Sequence, residues 1–289
     1  MRTTTTDPTT AEAAPDYLFT SGSRLGAVHL DALSKVLDRH TLSVLDALPL
    51  PAHPRCLEVG AGNGSVARAI AERTDGEVLA IDLDPGNLIG GTRVEVRRHD
   101  IRDSVPGGPY DLIHARLVML HLPEREQILP RLVDALAPGG WLVLGDISEM
   151  PAAVVLPEED DRAVWDRYAH AAYDIVSPQA GQSYDWAREM HERMLDAGLR
   201  GVCAEAYRPL TRGGDTSARC HVNLSVQGEG PLLRAGLSTE DLRRYREIMR
   251  DPRLRAWFYE VVYAWGRRPA PRGQTDPAQT MSTTAASTT

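Results

Sequence analysis

This chain of 289 residues is poor in the features that mark several large protein classes. Its 3 cysteines, Cys56, Cys203 and Cys220, show neither metal-ligand spacing nor the pattern of a disulfide framework, so they read as core or unreactive thiols and no metal is expected. No apolar run approaches the roughly 18–20 residues of a membrane-spanning helix. The Thr-rich opening, Met1 to Pro15, lacks the apolar core of a secretion signal, and the expectation is a cytoplasmic protein with no membrane partner. Lysine is almost missing, with Lys35 alone among 32 basic residues, and the net charge is −8. Binding driven by phosphate contacts needs a clustered basic face, so no nucleic-acid partner is expected either.

What is present is an ordinary soluble composition, 42% apolar and 25% charged, long enough to bury a full core. Residues 1–15 and 269–289, rich in Thr, Ala, Pro and Ser, have little to bury and are expected to be disordered tails. The most informative stretch is Arg55 to Gly64, Arg-Cys-Leu-Glu-Val-Gly-Ala-Gly-Asn-Gly. Cys56, Leu57 and Val59 suit a buried parallel strand, and Gly60, Gly62 and Gly64 supply backbone freedom and clearance at its carboxyl end, where ligands of open α/β sheets bind. Val66, Ala67, Ala69, Ile70 and Ala71 then carry a helix, and Glu77 to Asp82 resumes strand character, ending in a carboxylate placed to accept from ribose hydroxyls. This is one βαβ unit with a nucleoside in its crook.

The dinucleotide fingerprint is G-x-G-x-x-G, whereas here the third glycine comes one position early and Ser65 stands where that pattern wants glycine. Glu58, two places before the first glycine, suits a cationic ligand better than a pyrophosphate, which it would repel. Further on, Val94 to Arg97 reads as a third strand closed by Arg98-His99-Asp100-Ile101 and Tyr110 to Arg116 as a fourth strand. Pro123 to Ala137 follows as an amphipathic helix opened by proline and acid.

The segment Glu58 to Gly64 resembles the first motif of the class I S-adenosylmethionine-dependent methyltransferases, and Leu136-Ala137-Pro138-Gly139-Gly140-Trp141 through Asp146 is similar to that family's helix, Pro-Gly-Gly turn and fifth strand. The resemblance covers about a third of the chain strongly and implies an α/β fold, a Rossmann-like seven-stranded mostly parallel sheet with helices on both faces. It implies S-adenosylmethionine as cofactor, held by Glu58, Gly60, Gly62 and Gly64, with Asp82 on the ribose. It also implies that Asp100 accepts from the adenine amino group and that the Ile101 amide meets a ring nitrogen; Leu83 would lie against the adenine face or in the core. An aromatic residue near the start of the family's N-terminal segment often approaches the methionine end, which makes Tyr17 a candidate, with a surface role as its alternative. His114, at the carboxyl end of the fourth strand, faces donor and acceptor as cofactor wall or general base; Glu149 orients a substrate or faces solvent.

The expected organisation is an N-terminal helical lid over 16–50, a cofactor-binding core over 51–149, a helical cap insertion over 150–182 and the rest of the catalytic domain over 183–268. In the last part, Ala256 to Arg267 should form an antiparallel final strand. Trp165, Tyr168, Tyr173, Tyr184 and Trp186 fall within one short stretch and are candidate substrate-binding residues for an apolar or aromatic acceptor, with cap packing as the alternative. The activity that follows is transfer of a methyl group to an O, N or C nucleophile of a small molecule of specialised metabolism. A nicotinamide-dependent oxidoreductase and a non-catalytic scaffold with the same fold are the rival readings. Self-association through the terminal helical regions stays open.

Overall fold

The computed structural model describes residues 22–270, so Tyr17 and both expected tails, apart from two residues, lie outside the described part. Helix α1 (Arg24–Asp46) opens the chain, capped by Ser23, whose side chain accepts from the Gly26 N–H. Two βαβ units, with β3 between them, follow: β1 (Arg55–Val59), α2 (Ser65–Thr74), β2 (Glu77–Asp82), β3 (Val94–Arg98), β4 (Tyr110–Arg116), α3 (Arg125–Asp134) and β5 (Leu136–Glu149). The apolar run of β1, buried at four of its five positions, places it in the sheet interior between β2 and β4. Beyond β5 come β6 (Ala152–Val155), α4 (Asp161–Ala169), a π-helical segment (His170–Val176), the single turn α5 (Ser177–Gln179) and α6 (Asp185–Asp196). The chain closes with β7 (Arg200–Tyr207), β8 (Leu210–Arg212), α7 (Thr216–Gln227), α8 (Glu229–Arg234), α9 (Thr239–Arg250), β9 (Arg255–Trp257) and β10 (Glu260–Arg267).

The main sheet has seven strands in the order β3-β2-β1-β4-β5-β10-β7, with β10 antiparallel to both of its neighbours. The order reverses at β1 and β4, so the crevice at their carboxyl ends is the topological switch point where such sheets bind ligands. One face of the sheet is covered by α3 and α6 through Ile128, Leu132, Trp186, Met190 and Met194, the other by α1 and α2 through Leu37, Val44, Val66 and Ile70. The expected α/β architecture with helices on both faces is therefore present.

Three local expectations change. The helix expected to run to Ala137 stops at Asp134, because Leu136 already pairs with Tyr110 and Gly139, at φ +82°, turns the chain into the long β5. Ala256 to Arg267 is two strands: β9 belongs to a separate three-stranded sheet with β6 and β8, and β10 alone joins the main sheet. The cap is larger than an insertion of 150–182, since that small sheet and α4 share one apolar core with α7 and α9 through Trp165, Tyr168, Ala218, Tyr245 and Ile248. Sequence-distant halves make the cap, which no local pattern announces.

α1 is fastened across the sheet by buried polar contacts. Arg116 donates to Asp38 Oδ1 at 2.8 Å and to Thr41 Oγ1 at 2.6 Å, and Thr41 also meets the Tyr263 hydroxyl at 2.9 Å. His40 stacks on Tyr207 with ring centroids 4.2 Å apart. The second half of the helix is thereby anchored, while its first half reaches over the glycine bend.

Candidate active site

At the end of β1 the chain turns through Gly60, Gly62 and Gly64 at φ +65°, +57° and +76°. L-residues enter this left-handed region only with strain, and side chains would also collide. A Cβ on Gly60 would lie 2.3 Å from Val118 Cγ2, and one on Gly64 would lie 2.6 Å from the Ile89 carbonyl oxygen. The loop is a cradle kept clear of side chains. Asp82, at the end of β2, holds its shape: Oδ2 accepts from the Gly62 N–H and Oδ1 from the Asp84 N–H, both at 2.9 Å. Burial pushes the Asp82 carboxyl above its usual range, against those backbone donors.

From above, α1 meets the loop. Leu30 would stand 3.0 Å from a Cβ on Gly62, and the Ser34 hydroxyl bonds both Asn63 and Ser65. Asp100 receives a two-pronged bond from the Arg102 guanidinium, Oδ2 to Nη2 at 2.6 Å, and this holds its carboxyl below the ordinary range. A carboxylate has lone pairs to spare beyond that pair, so Asp100 can still accept from a ligand. The Ile101 side chain is buried, and Leu83 is half exposed at 48%.

His114 and Glu58 are not at an opening. Registered opposite one another on adjacent strands, they pair at 2.8 Å, Nδ1 to Oε2, both inside the sheet at 0% and 3% exposure. His114, expected as cofactor wall or general base, and Glu58, expected near a cationic ligand, thus face each other: side chains of paired positions share one face, and that face is packed. Glu149 is half-buried and ion-paired to Arg188 at 2.7 Å. It lines a cleft of about 530 Å³ together with Ser148, Gln182, Tyr184, Arg188 and Arg208.

The five aromatic candidates divide. Trp165 and Tyr168 are cap core, Tyr168 stacking on Tyr245 with centroids 3.5 Å apart. Trp186 is buried under the main sheet, where its indole N–H donates to Asp146 Oδ2 at 3.1 Å. All three side chains are buried, as in the packing alternative, because amphipathic helices turn their large rings toward the core they cover. Tyr173 and Tyr184 keep exposed surface; the Tyr173 hydroxyl lies 3.5 Å from that of Tyr259, and Tyr184 donates to Gln182 Oε1 at 2.9 Å.

Sequence reasoning gave no site role to several buried groups, and passed over His29 and His221 altogether. Asp146, whose other oxygen accepts from the Val118 N–H at 3.1 Å, is driven up to about 8 by burial. His29 on α1 and His121 beyond β4 are lowered to about 4, and His221 on α7 to about 3, each chiefly by burial. No motif carries His29 or His221; the packing of α1 against α7 brings their neighbourhoods together.

The glycines, with no room for a Cβ, and the carboxylate of Asp82 fit an adenosyl group, the residues present being those that would hold it. A family model described as a methyltransferase domain matches residues 33–204. The chain belongs to the class I S-adenosylmethionine-dependent methyltransferases. It is 35% identical over 133 residues to methyltransferase str3 of Strobilurus tenacellus, covering 45% of this chain and 46% of that one. It thus spans about half the length of that relative. With the 27-O-demethylrifamycin SV methyltransferase of Amycolatopsis mediterranei it shares 27% identity over 249 residues, 81% of this chain and 87% of that one. The solved structure of phosphoethanolamine N-methyltransferase 2 of Haemonchus contortus with S-adenosyl-L-methionine shares the fold at a TM-score of 0.55, with 13% identity over 90% of this chain and 60% of that one. Among the described residues no helix is long and apolar enough to cross a membrane and no cluster is suited to a metal ion.

Proposed function

We propose that the chain transfers a methyl group from S-adenosylmethionine to an O, N or C nucleophile of a small, largely apolar or aromatic molecule of specialised metabolism. The observation that carries this reading is the side-chain-free bend of Gly60 to Gly64 locked to Asp82 at the switch point. The sulfonium of the donor supplies an already activated methyl. What remains for the protein is alignment and exclusion of water, which contribute several kcal/mol, up to ~7–11 in ideal cases.

Each part has a place in that work. Asp82 accepts from the ribose hydroxyls, Asp100 and the Ile101 amide meet the adenine, and the glycine bend gives the backbone close approach. α1, tied to the bend by Ser34 and to the sheet by Arg116, shuts water out. Tyr173 and Tyr184 remain as acceptor-side aromatics, and Glu149 as a group at the rim of the outer cleft. The name of the Amycolatopsis mediterranei relative supports a specialised metabolite as acceptor. We place the protein in the cytoplasm, acting on a small molecule and not on nucleic acid, in line with its net charge of −8.

The test is mass spectrometry of the purified protein incubated with methyl-labelled donor and an extract of its own host. A labelled small molecule that appears only with the protein is the expected result. Calorimetry separates the rivals: binding of NAD in place of S-adenosylhomocysteine points to an oxidoreductase, and donor binding without any labelled product points to a scaffold.

A further inference from the structure

His221 stands out among the buried polar groups. It is 1% exposed, and neither of its ring nitrogens has a hydrogen-bond partner among the described residues. A buried polar group left unpaired costs about 1–3 kcal/mol, and here two such atoms sit on one ring. The ring lies 5.0 Å from Phe258 and 4.9 Å from Tyr259, centroid to centroid, and the Tyr259 hydroxyl in turn meets that of Tyr173. The preceding residue on α7, Cys220, lies 3.4 Å from Nδ1 of His29 on α1, and His29 is within electrostatic reach of both His221 and His121. His29 directly precedes Leu30, the residue over Gly62. α1 therefore meets the donor cradle through Leu30 and α7, beside the unsatisfied imidazole, through His29.

We propose that His221 is the acceptor-recognition residue of the methyltransferase reading given above: its imidazole hydrogen-bonds an uncharged hydroxyl or carbonyl group of the acceptor where α7 packs against α1 beside Phe258 and Tyr259. The chemical class follows from the surroundings. His29 and His221 are neutral near pH 7, and burial raises the Tyr173 and Tyr259 hydroxyls so that they stay protonated. The Asp215 carboxylate also lies within electrostatic reach of His221. An anionic acceptor would lose its hydration here and meet a like charge, whereas a hydroxyl or carbonyl meets a ring able to donate on one nitrogen and accept on the other.

The test uses the full chain, 15N-labelled at histidine, with phenol and benzoate as uncharged and anionic probes of one shape. The His221 signals are assigned by their loss in His221→Gln. Phenol is expected to move both His221 nitrogen resonances and benzoate to leave them in place. His221→Phe should weaken phenol binding roughly fivefold, the size of one net hydrogen bond, while His221→Gln keeps most of it. Unmoved resonances with phenol, as for a ring that merely holds a buried water, overturn the proposal. So do an equal response to benzoate and unchanged phenol affinity in His221→Phe. If His221→Phe does not fold, the wild-type spectra decide alone. S-adenosylhomocysteine binding by calorimetry keeps the two readings apart: its failure in the wild type removes the methyltransferase reading, and its presence with a silent His221 removes only this inference.

Discussion

Removing the Asp82 carboxylate probes the cradle most directly. In the free protein Asp82→Ala deletes two charge-assisted bonds, to the Gly62 and Asp84 N–H groups at 2.9 Å each, and leaves both donors to water. Hydrogen bonds to charged groups contribute about 1.5–3 kcal/mol each, and this half-buried position takes the low end, so the loss of stability should be about 2–3 kcal/mol. The donor loses its ribose partner at the same time, and the bend of Gly60 to Gly64 loses the group that fixes its shape. At least about 1.4 kcal/mol of binding should go, a tenfold or greater rise in Kd for S-adenosylhomocysteine. Asp82→Asn keeps one acceptor oxygen but turns an amide N–H₂ on a backbone donor, so it should fall between wild type and alanine. Titration calorimetry reads the affinity, and circular dichroism melts show that the protein is folded at the temperature used. A folded Asp82→Ala variant with wild-type affinity would refute the assignment of this carboxylate to the nucleoside, and with it the reading of the bend.

Gly64→Ala puts a Cβ 2.6 Å from the Ile89 carbonyl at a positive φ, so it should cost about 2–3 kcal/mol by denaturant melts and weaken donor binding; a neutral change would mean that the loop relaxes freely. Trp165→Ala should destabilise by about 3–5 kcal/mol because the ring is cap core, whereas Tyr184→Phe should shift the melt little and alter acceptor turnover instead; the reverse pattern would exchange their roles. Stability should peak near pH 6.5. Below it, His29, His121 and His221, held neutral down to about 4, 4 and 3, leave the unfolded chain binding more protons, so stability falls as pH drops. Above it, Asp146, protonated in the fold up to about 8, loses its contribution as pH rises, by roughly 1 kcal/mol per pH unit until that point. Melts of Asp146→Asn should lack the alkaline slope, and its persistence there would assign it to another group.

The sequence by itself determined the core of this protein. The apolar run of β1, three glycines at one strand end and a carboxylate closing β2 are local patterns, and local backbone sterics convert them into the bend and its anchor wherever they occur. The order of alternating strands and helices likewise led to a mostly parallel sheet, because parallel neighbours require crossovers. What tertiary structure alone decided is which polar groups face the crevice. His114 sits at a strand end in the sequence, yet pairing with β1 sets it against Glu58 inside the sheet. Trp165 and Trp186 look alike in a helical pattern, but one fills the cap core and the other reaches Asp146 beneath the sheet. His29 and His221 stand nearly two hundred positions apart along the chain and are joined by the packing of α1 on α7 through Cys220. Backbone geometry is written in neighbouring residues, whereas the company a buried side chain keeps depends on segments that meet only after the chain has closed upon itself.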